Sequence, residues 1–348
     1  AAVTIVWSAM ALVGSSWWLW SSSLMLLDVT MPIISVILVG FHAIFLRFIL
    51  EFRQKQQIKK QFGTYLSPDL VAKLQKNPEL LRLGGESKEL SIMFTDVRGF
   101  TSISEHYGED VQGLTQIMNR YMTAMTAKIL ENNGTIDKYI GDAQMAFWNA
   151  PVDNPNHAED AVRTALQMME SLEEFNNEIA LEKIPPFRMG LGIGTSVVVV
   201  GNMGSDQRFD YTCIGDGVNT AARLEGQTKN YGVDILLGPS TAKAVEDDYI
   251  ILEMDNIAVK GKTEGVQIYT IIEKQTAETV AARGHHELMF AKYRDQDFDA
   301  CITICNSLKV EFSGKLKGFY EMWIQRCKEL MDKDLPSDWD GIFRATSK

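Results

Sequence analysis

Two aspartates sit where β-prone apolar runs stop: Asp96 follows "SIMFT", and Asp142 occupies the turn of "KYIGDAQMAF". If the strand Leu90–Thr95 lies beside that hairpin, both carboxylates emerge at one edge of a sheet. Two carboxylates at close range repel, or one holds its proton, unless a cation lies between them. Oxygen ligands of this kind suit Mg²⁺ or Mn²⁺, which take a pair of carboxylates plus substrate phosphates. A lone aspartate in such a place is ordinarily a turn or N-cap residue; the pair is what points to a metal. Directly after Asp96, "DVRGFT" leads into a helix start, so that Gly99, Phe100 and Thr101 form a turn whose backbone amides can receive an anion. Phosphates held beside a two-carboxylate metal site are the anatomy of in-line nucleotidyl transfer.

The elements that must position these groups alternate in type. The pattern predicts strands over Leu90–Thr95, Thr135–Ile140, Gln144–Trp148, Phe187–Thr195, Val197–Gly201, Val233–Leu237, Tyr249–Val259 and Val266–Ile272. Helices are expected over Asp110–Glu131, Ala158–Ile179 and Asn219–Glu225. The hairpin around Gly141-Asp142 argues for antiparallel pairing. The fold class is therefore α+β, with helices on one face of an antiparallel-rich sheet, and a doubly wound parallel sheet is the weaker alternative.

The first quarter differs. Asp28 is the only charged residue before Arg47. The runs Ala1–Trp20 and Leu24–Leu50 each approach the ~20 residues that cross a hydrocarbon core. Trp17, Trp18 and Trp20 cluster near the connection, while Arg47, Arg53, Lys55, Lys59 and Lys60 follow the second run, which predicts a multi-pass inner (plasma) membrane anchor with Glu51 onward in the cytoplasm. A signal peptide is disfavoured by the absence of a basic n-region and of a small-residue cleavage pattern. Because residue 1 falls inside apolar sequence, an upstream domain is expected. The division is then two transmembrane helices over 1–50, a helical linker over 51–86 with a new start at Ser67-Pro68, a catalytic domain over 87–273, and a helical extension over 274–348. With 34 Lys and Arg against 45 Asp and Glu, and no basic stripe with interleaved aromatics, no nucleic-acid footprint is present. Cys213, Cys301, Cys305 and Cys327 show no disulfide-framework spacing, which fits a reducing compartment.

Five blocks in order, "FTDVRGFT", "DKYIGDAQMAFW", "FRMGLGIGTS", "GNMGSDQRFDYTCIGDGVNTAARLE" and "IAVKGKTEGVQIYTI", resemble the catalytic domain of the class III nucleotide cyclases, whose fold is of the ferredoxin-like, palm type. The resemblance covers about Ser87 to Ile272. The lead-in "FGTYLSPDLVAKL", the apolar helices and the "DWDGIF" tail are further similar to bacterial cyclases with an extracytoplasmic CHASE2 sensor, which this sequence lacks.

The resemblance implies that Asp96 and Asp142, with the Val97 carbonyl, hold two Mg²⁺ or Mn²⁺ ions per site. Arg188 and Lys260 would neutralise the β- and γ-phosphates of ATP. Lys138 and Thr212 would read the base, Asn219 would orient the ribose, and Arg223 would stabilise charge on the α-phosphate. Asn219 and Arg223 stand at i and i+4, so one helix face can present both. Guanylate cyclases of the family carry an acidic residue and a cysteine where this chain has Lys138 and Thr212, which favours adenine and leaves a guanylate cyclase or a silent signalling dimer as alternatives. The family's head-to-tail dimer takes Asp96, Asp142 and Arg188 from one chain and Lys138, Thr212, Asn219, Arg223 and Lys260 from the other, so a homodimer with two sites is implied.

Several tempting features have plainer readings. "GLGIG" lacks the helix and acid of a dinucleotide fingerprint and reads as strand packing; "GGES" precedes a strand instead of joining two. His157 reads as a helix-start residue, Asp137 as a solvated strand residue, and Met168 and Met169 as core. The cysteines of the extension, near His285 and His286, read as helix core and not as a zinc site. "HHELMFAKYRDQDFDACITICNSL" resembles a tetratricopeptide helix pair, a unit that cannot bury its own face and so must dock on something.

Overall fold

The computed structural model describes residues 2–25, 28–62, 84–205, 207–258, 265–274, 276–336, 339 and 341, divided between two compact units, Ala1–Gln75 and Lys76–Lys348. In the first unit, helix α1 (Ala2–Ser23) contacts helix α2 (Thr30–Phe62). Among the described residues one helical stretch, Thr30–Arg53, is long and apolar enough to cross a membrane, with mean hydropathy 2.4. The two-span expectation is thus met by one candidate span. Trp17, Trp18, Trp20 and Ser21 to Ser23 give the second half of α1 an interfacial composition instead. Most of the 51–86 linker, including the Ser67-Pro68 start, lies outside the described residues.

The second unit is built on a sheet in the order β2-β3-β1-β4-β6-β8-β7, with β5 pairing β4. Strand β1 (Gly84–Arg98) pairs β3 (Ala143–Trp148) on one side and β4 (Arg188–Ser205) on the other, both antiparallel. Strand β2 (Thr135–Ile140) closes the expected hairpin with β3. The two strands expected over 187–201 are one continuous strand, β4, and its hairpin partner β5 (Arg208–Ile214) is not among the expected strands. Strand β6 (Ile235–Leu237) supplies the single parallel pairing among the described residues, to β4, before β7 (Tyr249–Ala258) and β8 (Gly265–Lys274) finish the sheet antiparallel.

Helices cover both faces, which corrects the one-face expectation. Met93, Val97, Leu191 and Ile193 point to the face packed by α4 (Val111–Glu131) and α5 (His157–Leu181). Helix α4 starts at Asp110, whose carboxylate accepts from the Gly113 amide at 2.9 Å, and it buries Ile117, Tyr121, Met125 and Ile129 at four-residue spacing. On the opposite face lie Ile92, Phe94 and Asp96, paired with Gly194, Gly192 and Gly190. Helix α6 (Asp216–Tyr231) rests on that glycine strip: a Cβ at Gly192 would stand 2.2 Å from the Glu225 amide nitrogen. "GLGIG" is therefore a landing strip for a helix, in keeping with the strand-packing reading.

The extension forms helices α8 (Ala277–Arg294), α9 (Phe298–Leu308) and α10 (Lys317–Met331), following the short α7 (Pro239–Ala244) of the domain. Met289, Phe290, Tyr293, Cys301, Cys305, Phe319, Trp323 and Cys327 share a core with Leu252, Met254 and Ile268 of β7 and β8 and with Tyr231 at the end of α6. The unit's apolar face is thus covered by the sheet, as its composition required.

Candidate active site

Strand register places the first pair. Thr95 opposes Gln144, so Asp96 emerges beside the turn that carries Asp142, with Gly141 at φ 67° making that turn possible. The two carboxylates feel each other: partial burial first, then the charge of Asp142, raise the Asp96 pKa, and only the Val97 amide opposes them. Among the described residues no cluster of three or more His, Cys, Asp or Glu side chains has the geometry of a metal cage. Two neighbouring carboxylates are a donor set of the kind that Mg²⁺ completes with water and substrate phosphate. The donor set fits the expected cations.

Gly99 holds φ 72° and ψ 29° and starts helix α3 (Phe100–Tyr107), where the Ser102 amide donates to its carbonyl at 2.9 Å. Nothing stands within 4 Å of a Cβ there, so the glycine is required by its left-handed conformation and not by crowding. Phe100 packs partly into the core and Thr101 is exposed, leaving the turn beside Asp96 open. Arg188, exposed at the start of β4, opposes Arg98 two residues beyond Asp96 and so belongs to the same end of the sheet. Arg98 itself reaches away to Asp234 at 3.0 Å and to the Val233 carbonyl.

Lys138 and Thr212, the residues expected to read the base, assemble around a residue that the sequence pattern placed in solvent. Strand β2 carries a bulge between Ile136 and Lys138, which oppose Ala146 and Met145. Asp137 is the extra residue, and the bulge turns its side chain fully inward. Thr212, buried on β5, donates its hydroxyl to Asp137 Oδ2 at 2.5 Å, and Lys138 Nζ lies 3.2 Å from Oδ1, off the axis of a hydrogen bond. Burial raises the Asp137 pKa, while Thr212 and Lys138 hold it back. Asp137 is therefore the residue that joins Lys138 and Thr212, and alternation alone could not find it.

Asn219 and Arg223 are exposed on one side of α6, as the spacing predicts. Lys260 lies outside the described residues. A further acid missed in the sequence is Glu225, two residues after Arg223: its Oε1 sits 2.8 Å from where a Gly190 Cβ would be, over the residue that pairs Asp96. Its pKa is pushed up to about 7, by burial first and then by Asp96 and Asp142, with Arg98 opposing. The chain thus holds two groups, Asp96, Asp142 and Arg188 at one end of the sheet, and Asp137, Lys138 and Thr212 around the contact between β2 and β5.

The family model described as "Adenylate and Guanylate cyclase catalytic domain" matches residues 85–273, more than half of the chain. The chain belongs to this family. Among curated proteins it is 35% identical over 214 residues to "Adenylate cyclase 1" of Rhizobium meliloti (strain 1021), covering 61% of this chain and 31% of that protein. It is also 35% identical over 201 residues to "Adenylate cyclase" of Anabaena cylindrica, covering 56% and 39%. The chain thus spans well under half the length of these relatives. Among solved structures, the adenylyl cyclase CyaB from P. aeruginosa superposes with a TM-score of 0.51 at 34% identity, covering 56% of this chain and 98% of that one. The guanylyl cyclase Cya2 does so equally well, at 31% identity, covering 56% and 97%. The cyclase domain and its mixed sheet follow from these matches; which base it takes does not.

Proposed function

We propose that the chain is a membrane-anchored, homodimeric adenylate cyclase that converts ATP to 3′,5′-cyclic AMP and pyrophosphate. The observation that carries the base assignment is the hydrogen bond from Thr212 to Asp137. As a carboxylate, Asp137 can only accept, so the Thr212 proton is spent on it and the lone pairs of Oγ1 are left to accept. Adenine offers an N6 donor to such an oxygen and an N1 acceptor to the Lys138 ammonium. Guanine offers O6, an acceptor, where Thr212 has no proton left to give. A buried polar group left unpaired by the wrong base costs about 1–3 kcal/mol.

In this reading Asn219 orients the ribose so that its 3′-oxygen faces the α-phosphorus. Arg223 gathers the charge that grows on the α-phosphate as the new O–P bond forms and the bond to pyrophosphate breaks. Arg188 and Lys260 hold the β- and γ-phosphates, and the amides of Gly99, Phe100 and Thr101 receive the same chain of phosphates. Two Mg²⁺ or Mn²⁺ ions, held by Asp96, Asp142 and the Val97 carbonyl, would supply a lowered pKa for the attacking hydroxyl and neutralisation of the leaving group. Each site would draw its metal and phosphate end from one protomer and Lys138, Thr212, Asn219 and Arg223 from its partner. The apolar stretch Thr30–Arg53, followed by basic residues, supports a membrane anchor with the catalytic domain on the cytoplasmic side. The upstream CHASE2-type sensor belongs to the same proposal and rests on the likeness of "FGTYLSPDLVAKL", the apolar helices and the "DWDGIF" tail.

The test is product identity. Purified full chain in detergent, given ATP and GTP in equal amounts with Mn²⁺, should yield chiefly cyclic AMP. Predominant cyclic GMP would overturn the reading of Lys138 and Thr212.

A further inference from the structure

The family match ends at residue 273, yet the extension beyond it reaches back to the helix that carries Asn219 and Arg223. Asp255 on β7 is 1% exposed and follows a bulge between Glu253 and Asp255. Its Oδ2 accepts from Arg326 Nη1 of α10 at 2.5 Å and from the Tyr231 hydroxyl, the last residue of α6, at 2.7 Å. Its Oδ1 accepts from the Asn256 amide at 2.7 Å. The Arg326 guanidinium lies 4.3 Å over the Trp323 ring, which fixes its plane. One buried carboxylate therefore ties the end of α6, the sheet and the extension together.

Helix α6 is seated along its length by Ala221, Leu224 and Thr228, buried against the sheet, and its C-terminal end is held by the Tyr231 tie. Its inner face lies on Gly190, Gly192 and Gly194, which offer no side chains to interlock with it. On the glycine strip itself no side chain of the strand limits small shifts of the helix, and a displacement near 1 Å at a reacting group costs on the order of 10²-fold in rate. We propose that Arg326 and Tyr231 are positioning residues: through Asp255 the C-terminal extension pins the end of α6, and so sets where Asn219 and Arg223 stand. The proposal rests on the cyclase reading for its effect on turnover. The apolar face of the extension packs on the sheet of this same chain, which is what lets it act on α6.

The experiment uses the full chain in detergent and compares wild type with Tyr231→Phe, which removes one hydroxyl and leaves no cavity, and with the paired change Asp255→Asn plus Arg326→Met, which leaves no orphaned charge. In variants with wild-type circular dichroism and dimer mass, kcat should fall about 3- to 10-fold with KM for ATP and Mn²⁺ affinity within about twofold. Amide hydrogen exchange over 216–231 should quicken while that of α4 and α5 does not. In a single-site series, Arg326→Lys should recover part of the kcat lost in Arg326→Met. Unchanged kcat and unchanged exchange over 216–231 in a folded paired variant would overturn the proposal. If wild type itself makes no cyclic nucleotide, the cyclase reading fails, and exchange over 216–231 alone decides whether the clamp holds α6.

Discussion

Two carboxylate centres on the same sheet are treated in opposite ways. At Asp255 the charge is buried, faced by Arg326 at 2.5 Å, and surrounded by a hydroxyl and an amide that donate to it. At Asp96 the nearest charge that acts on it is another carboxylate, Asp142, and Glu225 adds a third acid nearby. A buried charge that meets its full complement of partners supports structure. Asp96, half-buried and with its pKa raised by burial first and then by a neighbouring carboxylate, has no such set of donors among the described residues, and shifts of this kind cluster at functional sites.

The comparison can be broken at either end. Asp96→Asn or Asp142→Asn should cut cyclic AMP formation by roughly a thousandfold, the several kcal/mol that a metal lends to a phosphoryl transition state. Neither change should lower the Tm, because each removes a repulsion. Asp255→Ala should do the reverse: it orphans Arg326 and should cost about 3–5 kcal/mol in chemical denaturation, with activity of the folded remainder reduced only as far as α6 is loosened.

A smaller effect is expected at the base-reading set. Asp137→Asn keeps the bulge but can donate to Thr212 as well as accept from it, which frees the threonine proton. Discrimination between ATP and GTP, measured as the ratio of kcat/KM, should relax by about tenfold, which is ~1.4 kcal/mol. The smallest effect concerns acid. His286 is fully buried between the Glu253 carbonyl at 2.6 Å and the Tyr320 hydroxyl at 2.9 Å. The carbonyl can only accept, so Nε2 carries the proton and Nδ1 accepts from Tyr320. Burial pushes its pKa down to about 4, from 6.5. The unfolded chain then binds a proton that the native state refuses, so the contribution of His286 is present above pH 6.5 and is lost as pH falls toward 4. His286→Gln, which keeps a donor for the carbonyl, should flatten the Tm profile in that window.

How much of this was legible in the sequence depends on whether a residue obeys its element's period. The Gly141-Asp142 hairpin, the strand that carries Asp96 and the α6 spacing of Asn219 and Arg223 could be read, because alternation, turn chemistry and i, i+4 placement hold there, although that strand runs from Gly84 to Arg98 instead of stopping at Thr95. Asp137 could not. A bulge shifts one residue to the other face, and no pattern in "TIDKYI" announces it. Strand β5 was legible and went unread: in "RFDYTCI" Phe209, Tyr211 and Cys213 alternate with Arg208, Asp210 and Thr212, and what the structure adds is the pairing with β4. Glu225 drew no reading in the sequence, because only the glycine strip, which brings its helix down onto the sheet, sets it beside Asp96. The covering of both faces was hidden for the same reason, since a glycine-lined face carries no hydrophobic signal.

The central claim is that each site is shared between two protomers, with Asp96 from one and Arg223 from the other. Mixing Asp96→Asn chains with Arg223→Ala chains, each inactive alone, tests it directly by cyclic AMP production. Random pairing gives half heterodimers with one intact site in each, so about a quarter of wild-type activity should return. If heterodimers form and ATP still yields no cyclic AMP, the shared-site account is wrong.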